Sequence, residues 1–267
     1  MIKRPGRLVL LGRSLGHSLS PLFQNAALQS AKLALRYETL DVPASALDDT
    51  LEQLASEGAA GNVTIPYKER VFDACDRLTT LAQLVGAVNT FWFERGELVG
   101  DNTDVFGFDA AVRQLLRREP AGLTVGLLGA GGAGSAVTAA VASWPDSRVL
   151  VSNRTTSRAE ALSARFSSVA QVTDVERLAR EADLVVNATS VGLRDNELPL
   201  DPSKLRASAA VLDLVYRRGE TEWVRAARGR GLLAADGLVM LVEQGAGAFE
   251  RWFGFPPDRD AMWSAVR

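Results

Sequence analysis

Apolar positions along this chain gather into short dense runs, and between those runs they recur at helical spacing. That alternation predicts strands and helices in turn, and hence a largely parallel sheet. In the first hundred residues the runs at 8–11, 36–42 and 62–65 predict strands. The stretches at 21–32, 44–56 and 67–75 predict helices, the first of them capped by Ser20. Two further runs, 87–94 and 97–101, are joined by Arg95-Gly96 and predict a hairpin that adds an antiparallel edge. A helix from Asp104 to about residue 117 leads into a second series of strands at 123–128, 148–151, 183–187, 209–215 and 232–235. Helices at 237–253 and 258–266 follow, separated by the stop Gly254-Phe255-Pro256-Pro257.

The most specific local signal follows the strand at 123–128. Gly129, Ala130, Gly131, Gly132, Ala133 and Gly134 spell G-x-G-x-x-G at a strand-to-helix turn. Glycines there admit a pyrophosphate to the backbone, and the helix start offers it unpaired N–H groups. The next strand ends in Ser152-Asn153-Arg154-Thr155-Thr156-Ser157-Arg158, where an NAD site carries an acid for the ribose 2′-hydroxyl. A guanidinium at that place suits a 2′-phosphate, which it meets through paired charge-assisted hydrogen bonds. The cofactor this predicts is NADP.

Composition narrows the setting. The 267 residues suffice for one large or two modest domains, and 47% hydrophobic with 23% charged residues is ordinary for a soluble globular protein. A net charge of −2 gives no support for a nucleic-acid or membrane partner. The run at 8–11 is too short for the core of a signal peptide, and no run reaches the length of a membrane span. The single cysteine, Cys75, precludes an intrachain disulfide and fits a reducing compartment, so the expected location is cytoplasmic. No metal site is expected.

Two polar segments in the first half fall at predicted strand ends, where open α/β sheets bind ligands. One runs from Asn62 through Thr64, Pro66 and Tyr67 to Lys68, and the other is Gly100-Asp101-Asn102-Thr103-Asp104. A lysine and an aspartate meeting there would handle a proton. Spacing alone favours the plainer reading, a solvated Lys68 and an Asp104 that merely caps a helix. Ser18 and Ser20, two apart before Pro21, could donate to one carboxylate or cap the helix that follows. His17 is the only histidine and reads as structural, which argues against a histidine-centred mechanism.

Taken in order, these segments resemble the shikimate dehydrogenase family nearly end to end. The resemblance implies that Lys68 and Asp104 are the catalytic pair. It implies that Ser18, Ser20 and Tyr216 hold the substrate carboxylate, and that Thr64, Asn89 (in Gly86-Ala87-Val88-Asn89-Thr90) and Gln244 read the ring hydroxyls. For the cofactor it implies Gly129 to Gly134, Asn153, Arg154, Thr155 and Arg158, then Thr189 and Ser190 in the run Asn187–Gly192, and Gly237. Two places depart from the family pattern: Arg217-Arg218-Gly219 stands where a proline usually follows Tyr216, and Gly61 precedes Asn62 in place of a larger residue.

The fold implied is α/β with two domains and a cleft between them. One is an N-terminal substrate domain with a mostly parallel sheet, 1–103 plus 238–267, and the other a Rossmann-like NADP-binding domain, 104–237. The substrate domain is discontinuous because Gln244 follows the nucleotide unit in sequence. The activity implied is reversible reduction of 3-dehydroshikimate to shikimate, as a monomer or homodimer. A quinate/shikimate dehydrogenase with relaxed substrate or NAD use stays open, as does a non-catalytic NADP sensor.

Overall fold

The structure is a computed structural model, and it describes residues 4–217 and 219–267. Arg218, in the loop that departs from the family pattern, lies outside the described residues. The chain folds as two compact units, Met1–Gly107 with Leu241–Arg267, and Phe108–Met240.

The first unit begins with β1 (Leu8–Gly12), α1 (Ser20–Ser30), β2 (Tyr37–Asp41), α2 (Leu47–Ser56), β3 (Ala60–Val63) and α3 (Lys68–Ala74). It continues with β4 (Arg77–Leu78), α4 (Thr80–Val85), β5 (Thr90–Glu94) and β6 (Glu97–Asp101), and the chain leaves it within α5 (Asp104–Leu116). The strands form one sheet in the order β2-β1-β3-β5-β6-β4. Only β5 runs against its neighbours, so the predicted hairpin is not an edge. The two-residue β4, too short to give a periodic signal, covers β6 and moves the edge outward.

Sheet burial explains why β1 reads as an unbroken apolar run. Leu8 and Leu10 face a cluster with Phe23, Ala27, Val242, Phe249 and Trp252, while Val9 and Leu11 face one with Leu47, Leu51, Leu54 and Val71. Both faces are covered, so no position alternates to polar. The strand predicted at 62–65 lies two residues earlier, at β3. Gly61 brings the chain so near β1 that a Cβ there would stand 2.1 Å from the Val9 carbonyl oxygen. Thr64 then leaves the strand into a turn in which the Tyr67 N–H donates to its carbonyl at 2.9 Å. Ser20 is likewise not a cap: it is the first residue of α1, and the Ser18 hydroxyl accepts from its N–H at 3.2 Å instead.

The second unit comprises β7 (Thr124–Leu128), α6 (Gly132–Val141), β8 (Arg148–Ser152), α7 (Thr156–Arg165), β9 (Ala170–Val172) and α8 (Val175–Glu181). Next come β10 (Leu184–Asn187), β11 (Ala210–Asp213), α9 (Glu222–Gly229) and β12 (Leu233–Ala235). The chain returns to the first unit within α10 (Leu238–Phe253) and continues to α11 (Arg259–Ser264). Its sheet is parallel throughout, in the order β12-β11-β10-β7-β8-β9. That is the doubly wound order, whose reversal between β7 and β10 is where dinucleotides bind.

Candidate active site

In the first unit the C-terminal ends of β1, β3 and β6 share one edge of the sheet, beside the start of β5. The Thr64 N–H donates to Leu11 O at 2.9 Å, the Val63 N–H to Asn89 O at 2.8 Å, and the Asn89 N–H to Asp101 O at 3.1 Å. These bonds carry Thr64, Asn89 and the Asn102-Thr103-Asp104 turn to the same place. Lys68 opens α3 and Asp104 opens α5, so the two meet as first residues of different helices.

Lys68 Nζ donates to Asp104 Oδ2 at 2.5 Å, and Asn89 Nδ2 donates to Asp104 Oδ1 at 2.8 Å. Both carboxylate oxygens are thus held, on a side chain only 5% exposed. The ammonium has three donors, and among the described residues Asp104 is its only hydrogen-bond partner. Two N–H groups therefore remain for an oxygen brought to the site. Asn89 Nδ2 also lies 3.0 Å from Thr103 Oγ1 and 3.1 Å from Gln244 Oε1, while its Oδ1 accepts from the Thr103 N–H at 2.7 Å. Gln244, on α10, is fixed in turn by donating to Leu241 O at 2.7 Å.

The structure therefore joins Lys68, Asp104, Asn89 and Gln244 into one hydrogen-bonded group. Ser18 is half-buried and Ser20 buried, and among the described residues no hydrogen bond ties either to Lys68 or Asp104. Tyr216 follows β11 in the second unit and is half-buried. Asn62, Thr103 and Asp101 lie in the two polar runs at the strand ends, but the sequence assigns them no role of their own. Asn62 takes the Tyr37 hydroxyl on Oδ1 at 2.8 Å and donates to Asn89 O at 3.1 Å. Asp101 and Asp104 are three residues apart in one polar run, and spacing does not reveal which of two acids is the buried anchor.

In the second unit the glycine turn has the shape that a phosphate cradle needs. Gly129 sits at φ +107°, and a Cβ on it would approach Ala188 O to 2.9 Å. A Cβ on Gly131 would meet nothing within 4 Å, so that flank of the turn is open. α6 begins there without a side-chain cap, which leaves its first N–H groups without intrahelical acceptors. Asn153 Oδ1 accepts from the Ala130 N–H at 3.1 Å and its amide donates to Thr155 O at 2.8 Å, tying the turn to the basic segment. Arg154 and Arg158 are exposed, with no ion-pair partner among the described residues. Arg158 lies in the first turn of α7, where a cation opposes the helix dipole and a bound anion would relieve it. These residues fit a phosphorylated dinucleotide.

The loop beside the turn is built from within. Thr189 donates from N–H and hydroxyl to Asn187 Oδ1 at 3.0 and 2.6 Å, and Asn187 donates to Asp213 Oδ1 at 2.8 Å. Ser190 is exposed beside it. Gly237 packs so tightly on the end of β11 that a Cβ would stand 2.3 Å from Leu214 O. Burial pushes the Asp213 carboxyl above the ordinary carboxylate range, against hydrogen bonds from Thr221, Asn187 and the Val215 N–H.

Family models match in three stretches: the shikimate dehydrogenase substrate binding domain over residues 10–91, shikimate / quinate 5-dehydrogenase over 112–194, and the shikimate 5′-dehydrogenase C-terminal domain over 237–267. The shikimate dehydrogenase (NADP(+)) of Methanopyrus kandleri is 39% identical over 96% of this chain and 93% of its own. The chain belongs to the shikimate dehydrogenase family. The shikimate 5-dehydrogenase of Thermus thermophilus, solved with NADP(H) and shikimate, is 40% identical with a TM-score of 0.88 over 98% of both chains. Quinate dehydrogenase from Corynebacterium glutamicum, solved with NAD, is 31% identical with a TM-score of 0.87 over 97% of both.

Proposed function

We propose that this protein is an NADP-dependent shikimate dehydrogenase, reversibly reducing 3-dehydroshikimate to shikimate on the way to aromatic amino acids. The observation that carries the reading is the contact between Lys68 and Asp104, with Asn89 on the other carboxylate oxygen. NADPH, when bound, supplies the hydride. The Gly129–Gly134 turn would hold its pyrophosphate, Arg154 and Arg158 its 2′-phosphate, with Asn153, Thr155, Thr189, Ser190 and Gly237 shaping the surround.

Lys68 turns its two remaining N–H groups to the substrate oxygen, stabilises negative charge there and donates the proton that makes the hydroxyl. In the oxidative direction the same amine takes that proton. Asp104 keeps the ammonium oriented and accepts from a neighbouring ring hydroxyl. Ser18 and Ser20 hold the substrate carboxylate with neutral donors, joined by Tyr216, while Thr64, Asn89 and Gln244 read the hydroxyls. The lone Cys75 suits the reducing cytoplasm, and monomer and homodimer serve this chemistry equally.

Initial rates with shikimate and with quinate, each against NADP and NAD, test the reading. Shikimate with NADP should be the preferred pair. Arg154→Ala should weaken NADP use about tenfold or more while leaving NAD use nearly unchanged, as loss of a charge-assisted pair implies. Equal rates with quinate and NAD would move the protein to the broader quinate/shikimate class. NADP binding without turnover of either acid would make it a sensor.

A further inference from the structure

We infer that Arg251 is a positioning residue that acts through Gln244, an inference that rests on the reading above. Its partner Asp101 ends β6, three residues before Asp104, and is fully buried. Asp101 Oδ1 accepts from the Asn102 N–H at 2.8 Å and from the Thr79 hydroxyl. Its Oδ2 accepts from Arg251 Nε at 2.7 Å, and Arg251 is its only ion-pair partner among the described residues. The Asp101 carbonyl also receives the Asn89 N–H at 3.1 Å. One buried residue thus ties together the cap of α4, the turn that presents Asp104, and Asn89.

Arg251 fastens α10 to that anchor. It lies two helical turns beyond Gln244, so both side chains leave the same face of the helix. Gln244 Oε1 stands 3.1 Å from Asn89 Nδ2, and Asn89 in turn donates to Asp104 at 2.8 Å. A ring therefore closes from Asp101 through Asn89 and Gln244, along α10, and back through Arg251. A buried carboxylate with a single guanidinium specifies where that helix face must lie, because any other placement leaves a charge unpaired in the interior. The Arg251 contact sets the rotation and height of α10, and Gln244 transmits them to the residues around Asp104.

A double-mutant cycle on the intact enzyme tests this, with kcat and KM for shikimate measured for Arg251→Gln, Gln244→Ala and the double variant. NADP affinity by fluorescence titration reports whether the nucleotide-binding unit is intact. Arg251→Gln should lower kcat/KM about 10- to 100-fold, the scale of a small misplacement, with NADP affinity unchanged. In the Gln244→Ala background the same substitution should have no further effect. Effects that multiply would overturn the inference, since Arg251 would then act independently of Gln244. An unaltered kcat/KM in the single variant would overturn it as well. Should Arg251→Gln not fold, the cycle is run with Arg251→Lys, which keeps the charge but not the Nε contact, and the same non-additivity is expected; a fully active lysine variant would then assign Arg251 to structure alone. Inactivity of the unmodified enzyme on shikimate would instead overturn the parent reading.

Discussion

Lys68 and Asp104, separated by 36 residues in the chain, stand 2.5 Å apart as the opening residues of two different helices. The lysine side chain is 18% exposed and the aspartate 5%, so the lysine is the more accessible member of the pair. Such an arrangement presents a proton outward while fixing its carrier from within. Removing the amine with Lys68→Ala should lower kcat by about 10²–10⁴-fold and raise the shikimate KM far less. Asp104→Asn, which keeps the shape and an acceptor for Asn89, should also act mainly on kcat. Steady-state kinetics in the shikimate-oxidising direction decide the matter; a rise in KM at constant kcat would make the pair a binding device.

The glycine turn separates structural from ligand-facing roles within six residues. A Cβ on Gly134 would stand 2.4 Å from Gly129 O, so Gly134→Ala must push the start of α6 off the turn that follows β7. It should destabilise the fold by about 1–3 kcal/mol, the usual penalty for overpacking, visible as a lowered Tm. Gly131 has φ −95° and free space where its Cβ would lie, so Gly131→Ala should leave Tm unchanged. It should nevertheless weaken NADP binding about tenfold or more, ~1.4 kcal/mol, by filling the space that the pyrophosphate needs. Thermal melts and NADP titrations on both variants separate the two effects, and equal NADP affinity in Gly131→Ala would remove that flank from the cofactor site.

Most of the fold was legible because its signals are local. The buried runs of β1 and β7 and the glycine turn each declare themselves within a few residues. What escaped was set by distant partners. The two residues of β4 are a strand only because β6 lies beside them, and they turn the expected edge hairpin into an interior one. Ser20 carries a capping side chain, yet Leu19 in helical conformation moves the helix start and leaves the capping contact to Ser18. The site followed the same division. Lys68 and Asp104 stood out as residue types at strand ends, and family resemblance chose between their two readings. Asp101 and Arg251 are separated by 150 residues, and no periodicity links them.

Asp213 offers a check on the buried network behind the loop at 187–191. Its side chain is buried, and loss of water raises its carboxyl above the ordinary carboxylate value even though Asn187, Thr221 and the Val215 N–H all donate to it. The folded chain therefore holds this proton more tightly than the unfolded chain does. As pH rises from the ordinary carboxylate pKa through the raised one, the unfolded state loses the proton first, and stability falls across that window. Above it, the anion persists at reduced stability, sustained by its three donors. Asp213→Asn has no proton to lose and resembles the protonated acid in shape. The stability advantage of the native protein over this variant, measured by urea unfolding at a series of pH values, should shrink as pH rises through the window and then level off. An advantage that grew with pH would mean that the donors outweigh burial, and that the loop is held by an aspartate whose anionic form the fold prefers.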